Sequence, residues 1–417
     1  MTRIIFPIHH TFGPLVTDAQ WKLALRYQFL PRRWVRGPET EELRSALSHH
    51  FGMSVSLFAS GREALLAGLR ALDLHSGDEV IVQGFTCVAV PNAIHAAGGA
   101  AVYVDIDPDS LNLDMKKLQS KITPRTKAII CQHTFGIPAD TEKLRAICDK
   151  RNITLIEDCA HIIPDGKLGT IGTRGDLMIL SFGRDKCISG VAGGAVLTRH
   201  GTLGRTLDMY EKEAGNFSLW RIINLMNYPL RYRFAKWVWK FPLGANVAKA
   251  YLRWLKVMGL LPPVYEGGEK EGKMTINFHR MPNVCAAFAL EQLRSLASLN
   301  GTRRQLSRIY GDVARAREWS MPNAALDAPV LQKFPVFARD AKSLRAALKR
   351  EQIYLDDGWC NAVVNPPSVA QEGAGYAKGM CPVAEDVAKH IVTLPTHPTM
   401  TKIQAEYLIL ALSSRLV

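Results

Sequence analysis

The sequence predicts an α/β protein: a mostly parallel seven-stranded sheet sandwiched by helices, then a smaller C-terminal α+β domain, with an amphipathic helical insertion between them. Three observations carry this. Seven short apolar runs of strand length fall at 54–59, 80–82, 101–104, 128–131, 154–156, 177–182 and 195–198. Helical stretches such as 62–72 and 141–150 separate them, and that alternation builds a parallel sheet covered on both faces. The composition then changes abruptly at 219–261 and returns to mixed strand and helix signals afterwards. The division that follows is 1–218 for a ligand-binding domain, 219–273 for the insertion and its linker, and 274–417 for the small domain.

The longest uncharged stretch, 80–104, is long enough to span a bilayer by count. It contains Gln83, Pro91, Asn92, His95, Gly98 and Gly99 and is flanked by Glu79 and Asp105. It reads as strand, short helix, strand. After 219–261 comes a break at Pro262-Pro263 and a Gly/Glu/Lys-rich linker at 266–273. Helical patterns resume at 284–299 and 303–317, with a strand at 330–337 and a helix at 342–351.

The 417 residues are 47% hydrophobic and 22% charged, which excludes a mainly disordered or fibrous chain. A net charge of +14 suits a polyanionic partner: nucleic acid, a phosphorylated small molecule or an acidic membrane surface. The eight cysteines show no paired CxxC spacing, so reduced thiols are expected rather than disulfides or a metal site. Residues 1–14 lack a signal-peptide pattern, and the expectation is a cytoplasmic protein.

Four segments at strand ends carry the chemistry. Ser60-Gly61-Arg62 ends a strand and opens a helix, where free N–H groups and the helix dipole favour a phosphate; an ordinary N-cap is the plain alternative. Asp158 ends an apolar strand, where it suits the protonated nitrogen of a pyridine ring, or merely caps the next segment. Lys186 stands just beyond the 177–182 strand and precedes Gly190, Gly193 and Gly194; a partly desolvated lysine amine is available for Schiff-base chemistry. His133 follows a fourth strand and also reads as a satisfied loop histidine.

Singly these signals are weak, but their order and spacing are specific. The chain resembles the DegT/DnrJ/EryC1/StrS family of pyridoxal-phosphate-dependent sugar aminotransferases, which have the type I aminotransferase fold. The family's SGTxAL matches Ser60-Gly-Arg-Glu-Ala-Leu65, and its GDEVIVPxFTF matches Gly77-Asp-Glu-Val-Ile-Val-Gln-Gly-Phe-Thr-Cys87. VDIDPxTxNID matches Val104 to Asp114, ITPRTKAI is present from Ile122, and HxxGxPADM matches from His133. IEDAAQ, SFxxxKN and GGAIVT correspond to segments opening at Ile156, Ser181 and Gly193. RMxxxQAAIGLxQL is echoed from Arg280, and LPxHP is Leu394-Pro-Thr-His-Pro398.

The resemblance implies that Lys186 holds pyridoxal 5'-phosphate covalently and that Asp158 pairs with its ring nitrogen. It implies that His161 lies beside the ring and that Ser60, Gly61, Arg62 and Ser181 hold the phosphate. It also implies a homodimer in which an Asn near Asn277-Phe-His-Arg-Met281 crosses to the partner's site. Three departures stand out. Cys87 occupies the place of the aromatic that stacks on the ring, leaving Phe85 as a substitute; Gly183-Arg-Asp185 replaces a Pro/Thr-containing stretch; and the insertion has no counterpart.

Residues 219–261 hold eight basic residues, no acid and nine aromatics. Phe234, Trp237, Val238 and Phe241 share one helical face against Arg233, Lys236 and Lys240; Val247, Tyr251, Leu255 and Met258 repeat this against Lys249, Arg253 and Lys256. Such helices suit an anionic bilayer surface, which would make the protein peripheral on the inner face of the membrane, or they form a hairpin packed on the body or the dimer partner. Nucleic acid is disfavoured because no nucleic-acid module is present. The expected function is therefore amino transfer from a small-molecule donor such as glutamate to a keto acceptor, a nucleotide-linked keto sugar or a lipid-associated one. The alternatives are a sugar dehydratase, in whose relatives a His replaces the lysine, and a non-catalytic membrane-docked binding protein that retains the fold.

Overall fold

The computed structural model describes residues 7–166, 171–275 and 277–416. Its central sheet has seven strands: β1 (Ser54–Phe58), β2 (Glu79–Gln83), β3 (Ala100–Val104), β4 (Thr126–Gln132), β5 (Thr154–Asp158), β6 (Leu177–Ser181) and β7 (Gly194–Thr198). They lie in the order β1-β7-β6-β5-β4-β2-β3. All neighbours are parallel except β7, which runs antiparallel to both β1 and β6. Each of the seven strands expected for this sheet is present within two residues of its expected ends. The inner strands are buried on both faces, which is why they read as continuous apolar runs rather than alternating ones.

Helix Gly61–Arg70 starts on Ser60, whose Oγ accepts the Glu63 N–H at 3.2 Å, and buries Ala64 through Leu69. Gly68 lets this helix lie close on the sheet, since a Cβ there would meet Leu177 Cδ1 at 3.3 Å. Helix Thr141–Arg151 stops at Asn152, which takes the left-handed conformation that ends many helices. The uncharged 80–104 stretch is β2, helix Ala89–Ala96 and β3, as expected, and no helix among the described residues is long and apolar enough to cross a membrane. The expected break near residue 301 falls instead at Ser295, between helices Asn283–Arg294 and Leu296–Ala316. Apolar periodicity runs across both, so the break is set by tertiary packing and leaves little local trace.

The C-terminal part pairs Lys333–Phe337 antiparallel with Ile391–Pro395 and covers them with helices. Ile8–His9 pairs with Ile353–Tyr354, so the first described residues join the C-terminal part rather than the central sheet.

The insertion is two helices, Leu219–Val238 and Gly244–Val257. The turn between them requires glycine at 244, where a Cβ would stand 2.0 Å from Val238 O. The hairpin is turned differently from the helical-wheel expectation. Much of its basic side faces the protein: Lys236 Nζ donates to Gly13 O at 2.8 Å, Lys249 lies over Trp239 and Tyr354, and Arg221 lies 3.6 Å from the Phe217 ring centre. Phe234, Trp237, Phe241, Val247 and Trp254 are each about half exposed, at 46–54%. Tyr251 and Leu255 do face inward.

The following stretch is not a free linker. Pro263 O accepts from Arg184, the Glu269 carboxylate sits on the Arg62 guanidinium, Asn92 donates to Glu269 O at 2.8 Å, and Ala370 N–H donates to Lys270 O at 2.8 Å. The segment straps the carboxyl edge of the sheet to the C-terminal part.

Candidate active site

The carboxyl ends of parallel strands are where α/β sheets bind ligands, and the predicted residues gather there. Gly61 and Gly194 make the closest backbone approach. A Cβ on Gly194 would stand 2.4 Å from Gly61 N, and one on Gly61 would stand 2.7 Å from Ser181 Cβ. Ser60, Gly61, Ser181 and Gly194 therefore form one compact cradle at a helix start, where the first N–H groups lack intrahelical acceptors. Arg62 adds its backbone here, but its side chain is committed to Glu269 and to Val264 O.

Asp158, the last residue of β5, is 7% exposed. One oxygen accepts the Ala160 N–H at 3.0 Å, and no cation among the described residues is in ion-pair contact with it. Burial pushes its carboxyl above the usual range, against the pull of Ala160 N–H and Lys186. A buried carboxylate that lacks a cation partner suits a protonated ring nitrogen. Lys186 follows the tight Gly183 turn, to whose carbonyl it donates its N–H at 3.3 Å. Its charge is felt by Asp158, His161, Cys87 and Asp185.

His161 is buried, and its Nδ1 accepts the Phe135 N–H at 3.2 Å. Burial, then Lys186 and Lys333, hold its pKa well below the ordinary value, so the ring is neutral and keeps Nε2–H as a donor. It stacks on Phe135 and meets Trp359 edge-on at 4.9 Å. His133 has a supporting role: it contacts Glu157 at 3.2 Å, and that carboxylate also accepts the N–H groups of Gly172, Arg174 and Gly175.

Cys87 is close enough to feel Lys186, Arg62 and Asp158, and burial raises its thiol. Phe85 is fully buried in the cluster of Phe135 and Trp359. Tyr265, from the strap, lies within the fields of Cys87, Asp185 and Arg62. Asn277 is exposed and does not reach the other site residues within this chain. Two residues further on, His279 O accepts the Ala59 N–H at 2.8 Å, next to the cradle residue Ser60.

A sequence profile of the DegT/DnrJ/EryC1/StrS aminotransferase family matches residues 23–217 and 247–413. The chain belongs to this aminotransferase family. The unmatched gap coincides with the first insertion helix. The chain is 27% identical over 351 residues to a UDP-N-acetyl-3-dehydro-alpha-D-glucosamine 3-aminotransferase of Acidithiobacillus ferrooxidans, covering 83% of this chain and 80% of that enzyme. It is 30% identical over 253 residues to the GDP-perosamine synthase of Escherichia coli O157:H7, covering 60% of this chain and 56% of that one. Among solved structures, NtdA of Bacillus subtilis with bound cofactor PMP superposes with a TM-score of 0.74 at 23% identity, over 98% of this chain and 85% of its own. PseC of Helicobacter pylori gives 0.73 at 18%, over 98% and 99%. At these identities the likeness speaks to the fold.

This aminotransferase uses pyridoxal phosphate. Its residues fit the cofactor: a glycine-tight anion cradle, a buried acid lacking a cation and a lysine converge at one sheet edge. Sequence reasoning missed a second layer. Lys333, 3% exposed, donates to Asp357 at 2.9 Å; Asp357 also accepts from Thr393 Oγ1 at 2.7 Å and Trp359 N–H at 2.9 Å. Burial would raise the Asp357 carboxyl, but Lys333 and the Thr393 hydroxyl hold it well below the usual carboxylate range. These residues come from three distant stretches of chain, and no local motif marks them.

Proposed function

We propose that this aminotransferase takes an amino group from an amino acid such as glutamate and delivers it to the keto carbon of a nucleotide-linked sugar. The observation that carries the assignment of roles is the buried Asp158, without a cation of its own, facing the field of Lys186. Pyridoxal phosphate, when bound, supplies an electron sink for the bond changes at the donor's α-carbon. Ser60, Gly61, Ser181 and the Arg62 backbone would hold its phosphate. Asp158 would keep a proton on the ring nitrogen. Lys186 would be the residue that carries the cofactor, and its amine would move the proton at the donor's α-carbon as general base and acid. His161, neutral and wedged between Phe135 and Trp359, offers Nε2–H beside the ring. The sugar acceptor is supported by the two curated relatives, whose names specify nucleotide-sugar chemistry. Borohydride reduction followed by peptide mapping tests the central assignment. The pyridoxyl label should fall on Lys186, and glutamate should change the cofactor absorbance; label on another lysine refutes the assignment.

The dimer and the membrane belong to the same reading. Asn277 is exposed, two residues before the His279 that bonds Ala59, as a residue reaching into a partner's site would be; sedimentation should give twice the chain mass, and Asn277→Ala should weaken cofactor binding. The half-exposed aromatics of the insertion, with Arg253 and Lys256 on the same acid-free hairpin, suit an anionic bilayer interface and hence a peripheral position and a lipid-associated acceptor. Because much of the basic side faces the protein, burial of aromatic area carries more of this binding than charge does. Co-sedimentation with anionic vesicles should fall when Trp237 and Trp254 become Ser. Equal failure to bind neutral and anionic vesicles would assign the patch to protein packing instead.

A further inference from the structure

A second stretch of the chain is basic, aromatic and free of acids. From Ala19 to Pro38 it holds Lys22, Arg26, Arg32, Arg33 and Arg36, four aromatics and no Asp or Glu. The acids that bound it are engaged: Asp18 accepts from Trp21 Nε1 at 2.9 Å, and Glu39 accepts from Asn283 at 2.7 Å and Arg33 at 3.2 Å. Lys22, Arg26, Arg32 and Arg36 are exposed and make no ion pair among the described residues. Charge alone would describe an ordinary solvated face. Helix Asp18–Tyr27 does more: it buries Gln20, Ala24 and Tyr27 and turns Lys22, Leu25, Arg26 and, just past its C-cap, Phe29 outward. These are positions i, i+3, i+4 and i+7, a single helical face. Leu25 and Phe29 are 46% and 79% exposed on it. Apolar groups interleaved with cations fit the boundary of an anionic bilayer, where the apolar groups enter the headgroup layer and the cations stay at its phosphates.

This face is continuous with the insertion. The helix runs antiparallel to Leu219–Val238: the Arg233 guanidinium lies 5.4 Å from the Trp21 ring centre, and Gln28 Nε2 donates to Asn227 Oδ1 at 3.3 Å. Its start therefore lies toward the half-exposed Phe234 and Trp237, and its end toward Leu219 and Trp220, which are 60% and 59% exposed. Each half supplies what the other lacks. The hairpin is largely aromatic on its outer side, because Arg221, Lys236 and Lys249 turn toward the protein. The 19–38 stretch keeps its cations in solvent.

We propose that helix Asp18–Tyr27 and the Pro31–Arg33 turn form the charge-reading half of one docking surface, whose partner is the phosphate headgroups of an anionic bilayer. The insertion hairpin is the half that enters the apolar layer. The proposal rests on the peripheral position proposed above, and it moves the source of lipid selectivity off the hairpin. A second copy of the chain is the poorer occupant. A two-fold interface sets a patch against itself, which here brings arginine against arginine. Nucleic acid would pair the cations but leave the aliphatic Leu25 and Leu219 in water, since bases stack on aromatic faces.

The test measures partition of the full-length protein onto vesicles of phosphatidylcholine alone and of phosphatidylcholine with about one third phosphatidylglycerol, at low and at physiological salt. Each basic residue near such an anionic surface is worth about fivefold in partition, ~1 kcal/mol. Replacing Lys22, Arg26, Arg32 and Arg36 together by Gln should weaken binding to the anionic vesicles by roughly thirtyfold or more and remove most of its salt dependence. Binding to phosphatidylcholine and the thermal midpoint should not change, because all four side chains are exposed and unpaired. Leu25→Ser with Phe29→Ser should lower binding to both kinds of vesicle. The control neutralises Lys116, Lys150, Lys342 and Lys378, exposed lysines of other elements, and should bind within about threefold of wild type. If the control loses as much as the test variant, only net charge is read and the proposal fails. If anionic binding survives the fourfold change but is lost with Trp237→Ser and Trp254→Ser, the hairpin docks unaided: the proposal fails and the peripheral reading stands. If wild type binds neither vesicle, that reading falls and this one with it. Loss of the dimer by the fourfold variant in sedimentation would make the face a subunit interface, and tighter binding to a DNA duplex than to anionic vesicles would make it a nucleic-acid site; either overturns the proposal.

Discussion

Replacing Gly194 by Ala isolates the cradle from the rest of the fold. The new methyl carbon would lie 2.4 Å from Gly61 N, 2.5 Å from Gly61 Cα and 2.5 Å from the carbonyl carbon of Ser60. All three are backbone atoms, so no rotamer change relieves the contact. The β1–β7 edge must part from the helix start by several tenths of an ångström or more. Overpacking in a rigid interior costs about 1–3 kcal/mol, and a purely backbone clash belongs at the upper end. The same movement widens the cradle, so cofactor affinity should fall by more than tenfold, over 1.4 kcal/mol. Gly301→Ala is the matched control: it adds the same methyl group inside helix Leu296–Ala316, where nothing lies within 4 Å. It should stabilise by up to about 1 kcal/mol from helix propensity alone. Urea unfolding of the cofactor-free protein and a fluorescence titration of the cofactor give the two readouts. If Gly194→Ala matches wild type in both, the cradle is looser than its geometry requires and the phosphate assignment fails.

Three further outcomes follow from contacts described above. Asp158→Asn keeps the shape but removes the charge, and the donor half-reaction should slow at least 100-fold, about 2.7 kcal/mol, in single-turnover absorbance traces; a variant within threefold of wild type contradicts the role. His9, His10, His161 and His397 are buried with pKa values lowered chiefly by burial. Below their unfolded value of about 6.5 the unfolded chain binds more protons, so stability must fall with falling pH, by up to ~1.4 kcal/mol per histidine per pH unit. Urea midpoints that stay flat from pH 6.5 to 5 would mean these imidazoles are not buried neutral. Glu269→Gln breaks the pair with Arg62, in which the carboxylate is nearly fully buried, at a cost of about 3–5 kcal/mol to the strap. Trypsin should then cut after Lys270 or Lys273 at least tenfold faster; unchanged cleavage would show that Asn92 and Ala370 hold the strap without the ion pair.

The sheet was legible in the sequence because its strands are short, mainly apolar runs between turn residues, and the cradle because Ser60-Gly61 and Gly193-Gly194 carry backbone requirements that only particular residues meet. The positions of Asp158 and Lys186 just at or beyond strand ends were legible by spacing, while the roles proposed for them rest on family resemblance. Lys333 and Asp357 were not legible. A buried Lys–Asp pair is made by residues 24 apart in the chain, and neither residue type signals burial by itself. The insertion illustrates a different limit. Its periodicity showed two faces, but which face meets the protein depends on partners such as Gly13 and Tyr354, far away in sequence.

The antiparallel strand β7 has a consequence for biosynthesis. β1 hydrogen-bonds only to β7 within the sheet, and β7 is made about 140 residues later. At translation rates of about 5–20 residues per second, β1 and the helix that begins at Gly61 must wait roughly 7–28 s on the ribosome before their neighbour emerges. Until then the cradle does not exist, because Gly194 is one of its walls. A nascent chain therefore cannot be rescued by cofactor until most of the sheet has been synthesised, and during that interval β1 is an unpaired apolar edge that a chaperone, or another nascent copy, can capture.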